Sequence, residues 1–154
     1  MKKENNKEQK TNKGFVAVIR IKGQIGLRKG IVETLHRLNI RKKYSCVIFY
    51  NPSKEIQGMI KKSSDFTAYG EINKETLKEL IEKRAQLIDK TKKINVEDII
   101  KNLENGKKLK ELNLKPFFRL HPPRKGINTK SHFSQGGVLG NHKEKLNELI
   151  ERML

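Results

Sequence analysis

A chain of 154 residues with 34% apolar residues and a mean hydropathy of −0.75 has room for one domain, or for one small domain with an extension, part of which a partner would order. Its formal net charge of +18 at pH 7 points to a polyanion, nucleic acid first, as the partner. The single cysteine, Cys46, excludes a disulfide framework and a cysteine-rich zinc site and fits a reducing, cytosolic setting; no apolar stretch approaches the roughly 20 residues a membrane helix needs.

Residues 1–13 are charged and lack an apolar run, so they are not a secretory signal and read as a disordered basic tail. Phe15 to Lys22 alternates as a strand, with Phe15, Ala17, Ile19 and Ile21 on one face and Val16 and Val18 on the other. Arg20 and Lys22 follow on the second face, which is expected to be wet towards its end. Gly23 to Gly30 is a loop. The next helix carries Ile31, Leu35 and Leu38 on one stripe and ends at Asn39. Tyr44 to Tyr50 is a second strand, stopped by Pro52. Ser53 caps a short helix with Ile56, Met59 and Ile60. Phe66 to Ile72 is the third strand. Asn73 is placed to cap a helix whose stripe runs Leu77, Leu80, Ile81, Arg84, then Leu87 and Ile88, with Ile72 and Leu77 as a hydrophobic staple.

This order predicts an α+β fold: a two-layer β-α-β-α-β core over 14–73, with a three-stranded antiparallel sheet and helices on one face, ferredoxin-like in outline. An extension over 74–154 follows. Asn95 and Asp98 suggest a capping box before Val96, Ile99, Ile100 and Leu103, and Gly106 closes that helix. Asn141 and Glu144 cap a last helix within 143–154, with Leu146, Leu149, Ile150 and Met153 on its stripe. Between the two lies the longest acid-free stretch in the chain, 112–142. It holds Lys115, Arg119, Arg124, Lys125 and Lys130, three of the four histidines, and the rigid pair Pro122-Pro123. A stretch this long without clear secondary structure is either disordered alone or shaped on a partner. It is expected to take its path only on RNA.

Chemistry has few footholds. The Gly23–Gly30 loop follows a strand and opens a helix, the right place for backbone N–H groups to cradle a phosphate. It matches neither a Walker loop nor a dinucleotide fingerprint, so a free nucleotide is not its ligand. An RNA phosphate held there by Arg28 and Lys29 is the alternative to a plain flexible turn. His121, His132 and His142 are ten or eleven residues apart with no cysteine or paired acid nearby, too loose for zinc. No carboxylate pair and no glycine-framed serine offers catalysis, so no catalytic residue, metal or cofactor is expected. Cations at element ends carry the content: Arg20 and Lys22; Arg41, Lys42 and Lys43; Lys61 and Lys62; Arg124 and Lys125. Such contacts position a phosphate backbone and read little sequence. Phe117, Phe118 and Phe133 punctuate the basic segment, where Phe117 or Phe118 either stacks on a base or anchors the core.

Three stretches resemble the ribosomal protein family conventionally called L-thirty, whose eukaryotic counterpart is L-seven. They are Val16-Ala17-Val18-Ile19-Arg20-Ile21 with its loop, Ile31 to Leu38, and Gln57-Gly58-Met59-Ile60-Lys61-Lys62 after Asn51-Pro52. The continuation through Phe118-Arg119-Leu120-His121-Pro122-Pro123-Arg124 and His132-Phe133-Ser134-Gln135-Gly136-Gly137 resembles the archaeal and eukaryotic form, and archaeal origin fits best. The resemblance covers roughly 14–154. It implies a non-catalytic structural constituent of the large ribosomal subunit, cytoplasmic, that binds large-subunit rRNA near the 5S rRNA region and supports assembly. It further implies 5S rRNA and neighbouring large-subunit proteins as partners, with no membrane and no homo-oligomer. It implies that rRNA is faced by the Gly23–Gly30 loop, with Arg28 and Lys29, by Lys61 and Lys62, and by Arg119, Arg124, Lys125, Lys130 and His132; His121 is a further candidate, for RNA or for a structural role beside Pro122. The alternative is a free-standing basic RNA- or DNA-binding module outside the ribosome, which would want a recognition helix or sheet aromatics.

Overall fold

The computed structural model describes residues 14–93 and 95–154, so the tail expected over 1–13 lies outside the described residues. Strands form where the alternating runs stand: β1 (Phe15–Arg20), β2 (Ser45–Tyr50) and β3 (Thr67–Ile72). β1 is central and antiparallel to both neighbours, with Ala17 opposite Ile48 on one side and Gly70 on the other. Each strand is shorter than its sequence pattern. Tyr44 takes φ +62° just before β2, and Ile21 and Lys22 both donate to the Phe66 carbonyl, so the ladder stops there.

The helices α1 (Lys29–Arg37) and α2 (Lys54–Lys62) cover one face of these strands, packing Leu35, Leu38, Ile40 and Ile60 on Val18 and Val47. Asn39, in the left-handed region at φ +61°, terminates α1. Ser53 Oγ accepts the Ile56 N–H at 3.4 Å and caps α2. This is the two-layer core read from the sequence.

The other face of the sheet, with Phe15, Ala17, Ile19, Cys46, Ile48, Ala68 and Ile72, is buried by the extension. Three helices supply the cover: α3 (Lys74–Arg84), α4 (Val96–Glu104) and α5 (Leu146–Met153). One continuous core results, running from Phe15 to Leu154. The α+β class therefore holds, with a third layer that the extension provides. β3 and the turn into α5 meet closely: a side chain on Gly70 would overlap the Lys143 carbonyl.

The segment 112–142 departs from expectation. β4 (Phe118–Arg119) adds antiparallel to β2, and β5 (Gly140–Asn141) adds parallel to β3. The sheet thus has five strands in the order β4-β2-β1-β3-β5, rather than three. Leu114, Phe118, Leu120, Val138 and Leu139 are buried in the core, so the protein's own contacts hold a path that was expected to need RNA. Between these anchors the Arg152 guanidinium donates to the Arg124 carbonyl at 2.9 and 3.0 Å and to that of Gly126. Local expectations change too: α5 starts at Leu146 without a side-chain cap, and Asn141 Oδ1 accepts the Lys143 N–H at 2.9 Å, one turn before that helix. α3 ends at Arg84, because Leu87 bridges to Leu114 and the Ile88 N–H donates to Asn113 at 2.9 Å. Asn73 makes no side-chain cap; its N–H donates to Asn147 Oδ1 at 2.9 Å, which ties α5 to the start of α3.

Candidate nucleic-acid interface

Because β1 is antiparallel to β2 and β3, it finishes at the end of the sheet where they begin. That geometry gathers cations that the sequence scatters. Lys22 leaves β1 and donates its N–H to the Phe66 carbonyl at 3.2 Å, while its ammonium stands 5.5 Å from the centre of the Phe66 ring. Lys61 and Lys62 finish α2 just before that turn, and both are exposed. The Lys62 ammonium reaches the first turn of α1, 3.8 Å from where a Cβ on Gly30 would stand. Lys22, Arg28, Lys29, Lys61 and Lys62 thus form one group.

The start of α1 is electrostatically unusual. Its first turn has no acid and Arg28 supplies no side-chain cap. Arg28 and Lys29 place two exposed cations at the positive end of the helix dipole, where anions are favoured and cations are not. An anion there would relieve the repulsion and accept backbone N–H bonds.

A second group adjoins the first. Arg41, Lys42 and Lys43 are exposed between α1 and β2, with Lys43 4.9 Å from the Tyr44 ring centre. Across the ladder Arg119 stands opposite Ser45, and its guanidinium rides 5.4 Å from the ring centre of half-buried Phe117. Phe118, by contrast, is a core residue at 1% exposure. Cation–π seating of this kind, about 0.5–1 kcal/mol when exposed, orients the charged head without neutralising it.

Arg20 does not belong to the interface. It is 1% exposed, and its guanidinium donates to the carbonyls of Lys22 at 3.0 Å, Ile40 at 3.2 Å and Arg41. Burial lowers its pKa. The face expected to be wet is covered by the chain leaving α1, so Arg20 fastens the 40–41 turn to the end of β1 and positions Arg41 from beneath.

The remaining predicted residues lie elsewhere along this end. His121 is exposed, its N–H donating to Met153, and Arg124 and Lys125 are exposed above the last turn of α5. They flank the third layer and do not join the α1–α2 group. Lys130 is exposed, whereas the His132 imidazole sits 2.8 Å from Asp65 and is engaged within the protein. Ion pairs of Lys and Arg among the described residues include Glu33–Arg37, Lys74–Glu104, Lys78–Glu97 and Glu79–Lys83, and none of these four uses a cation predicted to bind RNA. Among the described residues no cluster of His, Cys, Asp or Glu is arranged to hold a metal ion, and no helix is long and apolar enough to cross a membrane. The sequence reading missed Arg152, which clamps the 124–126 turn and positions Arg124 and Lys125. Nothing in the mixed-charge helix pattern distinguishes it from a solvated arginine.

A family model described as ribosomal protein L30p/L7e matches residues 16–66, from β1 to the end of the turn after α2. The chain is 40% identical over 154 residues to the large ribosomal subunit protein uL30 of Nanoarchaeum equitans, covering 90% of this chain and 97% of that protein. It is 40% identical over 151 residues to the protein of that name from Archaeoglobus fulgidus, covering 89% and 98% respectively. With its counterpart from Methanococcus maripaludis the identity is 37% over 152 residues, covering 90% and 98%.

Proposed function

The chain belongs to the uL30 family of ribosomal proteins, and on that basis we propose that it is a structural constituent of the large ribosomal subunit that binds and stabilises large-subunit rRNA. As a member of a ribosomal structural family it is not an enzyme. Its rRNA contact lies near the 5S rRNA region, with 5S rRNA and neighbouring large-subunit proteins as partners, and it supports subunit assembly without forming a homo-oligomer.

The observation that carries this reading is the convergence of exposed and half-exposed cations at the end of the sheet where β1 finishes. Lys22, Arg28, Lys29, Lys61 and Lys62 face one stretch of phosphate backbone, with the α1 N-terminus accepting a phosphate. Arg41, Lys42, Lys43 and Arg119 extend the track across the sheet edge. His121, Arg124, Lys125 and Lys130 carry it over the third layer. Contacts made mainly to phosphate fix register and orientation and leave sequence unread.

The test is binding of the full chain to naked large-subunit rRNA as a function of salt. With about six to ten phosphates neutralised, affinity should fall roughly 10³- to 10⁵-fold between about 50 and 200 mM salt. Binding indifferent to salt would overturn the phosphate track. Equal affinity for duplex DNA and unrelated folded RNA would favour a free-standing nucleic-acid module instead.

A further inference from the structure

Ile25 is fully exposed at the tip of the loop between β1 and α1. A lone exposed isoleucine is ordinary on a protein surface; the way this one is mounted sets it apart. The Leu27 N–H donates to the Gln24 carbonyl at 3.4 Å, and Gly26 has φ +77°. Gln24–Leu27 is therefore a tight turn of the kind that needs glycine third, and Ile25 occupies its corner. Leu27, half-buried, packs into the cluster under α1 and α2 and fixes the turn to the body of the protein. The β-branched side chain at the corner is itself stiff and has little rotamer freedom to lose on contact.

The surroundings specify the partner. From Lys22 to Val32 the chain contains no acid, and Arg28, Lys29 and the Lys62 ammonium lie at the root of the loop. The residues beside Ile25, Gln24 and Gly26, are exposed and offer no apolar patch for a protein partner to bury. One apolar point ringed by cations is the complement of an exposed base: a flat apolar face bordered by anionic phosphates.

We propose that Ile25 packs against the face of an unpaired or unstacked rRNA base while Arg28, Lys29 and Lys62 hold the flanking phosphates. The inference rests on the rRNA-binding reading above. Apolar and ionic contacts separate experimentally, because the salt slope counts phosphates and is blind to an apolar contact. Full-length wild type, Ile25→Ser, Ile25→Leu and Lys29→Gln are titrated against naked large-subunit rRNA at salt concentrations from about 50 to 300 mM. Ile25→Ser should bind about five- to twentyfold more weakly at every salt concentration, with the slope unchanged, and Ile25→Leu should stay within about twofold of wild type. Lys29→Gln should reduce the slope by about 0.7–0.9. Since the Ile25 side chain is fully exposed, thermal unfolding of Ile25→Ser should match wild type. Titrations of Ile25→Ser and wild type that superimpose would overturn the base contact and leave the tip to a protein or to solvent. A changed slope in Ile25→Ser would overturn it too, by showing that the loop had moved. Absence of salt-dependent binding by wild type would instead overturn the underlying rRNA-binding reading.

Discussion

Replacing Phe118 with alanine in the RNA-free protein decides whether the basic segment belongs to the fold. The ring is 1% exposed and stands opposite Cys46 on β2, within the core beneath α3 to α5. Its removal forfeits the transfer free energy of a fully buried aromatic side chain and leaves a cavity that the ladder keeps from collapsing, together about 3–5 kcal/mol. For a chain of this size each kcal/mol moves the melting midpoint by about 2–4 °C, so the midpoint should fall by roughly 6–20 °C. Phe117→Ala is the internal comparison. That ring is only half-buried, and its loss should cost about 1–2 kcal/mol. Urea unfolding of each variant, followed by circular dichroism without RNA, reads the difference directly as a lowered midpoint at unchanged slope. If RNA alone gave the segment its path, Phe118 would already be solvated in the free protein. A loss below about 0.5 kcal/mol in Phe118→Ala would refute the reasoning.

Gly70→Ala should destabilise the protein by about 1–3 kcal/mol in thermal unfolding, because the added methyl meets the Lys143 backbone and not a movable side-chain end. Arg20→Gln should cost about 2 kcal/mol or more, leaving the Lys22, Ile40 and Arg41 carbonyls short of a donor, while the salt slope for rRNA stays at the wild-type value. Burial raises the Cys46 thiol to about 12, so the native protein should resist a thiol-directed reagent at pH 8 and react only on unfolding. Burial also holds the His142 imidazole below its usual 6.5, against the pull of its bond to the Val138 carbonyl at 2.6 Å. The unfolded chain therefore takes up that proton first. Stability from this group should be full above about pH 6.5 and be lost as pH falls through the folded pKa, and His142→Gln should flatten that part of a midpoint-against-pH curve.

What could be read from the sequence was whatever repeats locally. The alternation of Phe15 to Ile21, the stripe of Leu35 and Leu38, and the left-handed stop at Asn39 each follow from a few neighbouring residues. The cations at element ends were equally visible. Their grouping was not, because it depends on the antiparallel register that sets Arg119 beside Ser45 and on the reach of Lys62 to Gly30. Arg20 looked wet because the 40–41 turn that covers it comes twenty residues later, and no local signal marks that turn as a lid. The segment 112–142 looked unfolded because its anchors are single residues, and its two strands are too short to show any period. Likewise the bond between His132 and Asp65 spans 67 residues, a pairing that only the fold reveals.

The core that the extension closes over the sheet, from Phe15 to Leu154, has a consequence for how the protein is made. A nascent chain that has emerged only as far as Ile72 has the strands and both helices of the first two layers. It also carries a bare sheet face lined by Phe15, Ala17, Ile19, Ile48 and Ile72, whose cover includes α5, at the far end of the described chain. A face of that kind is prone to self-association while it waits. Synthesis therefore runs through an interval in which the first two layers are locally complete but one sheet face stays bare, until α5, made about seventy residues after β3, arrives to help cover it.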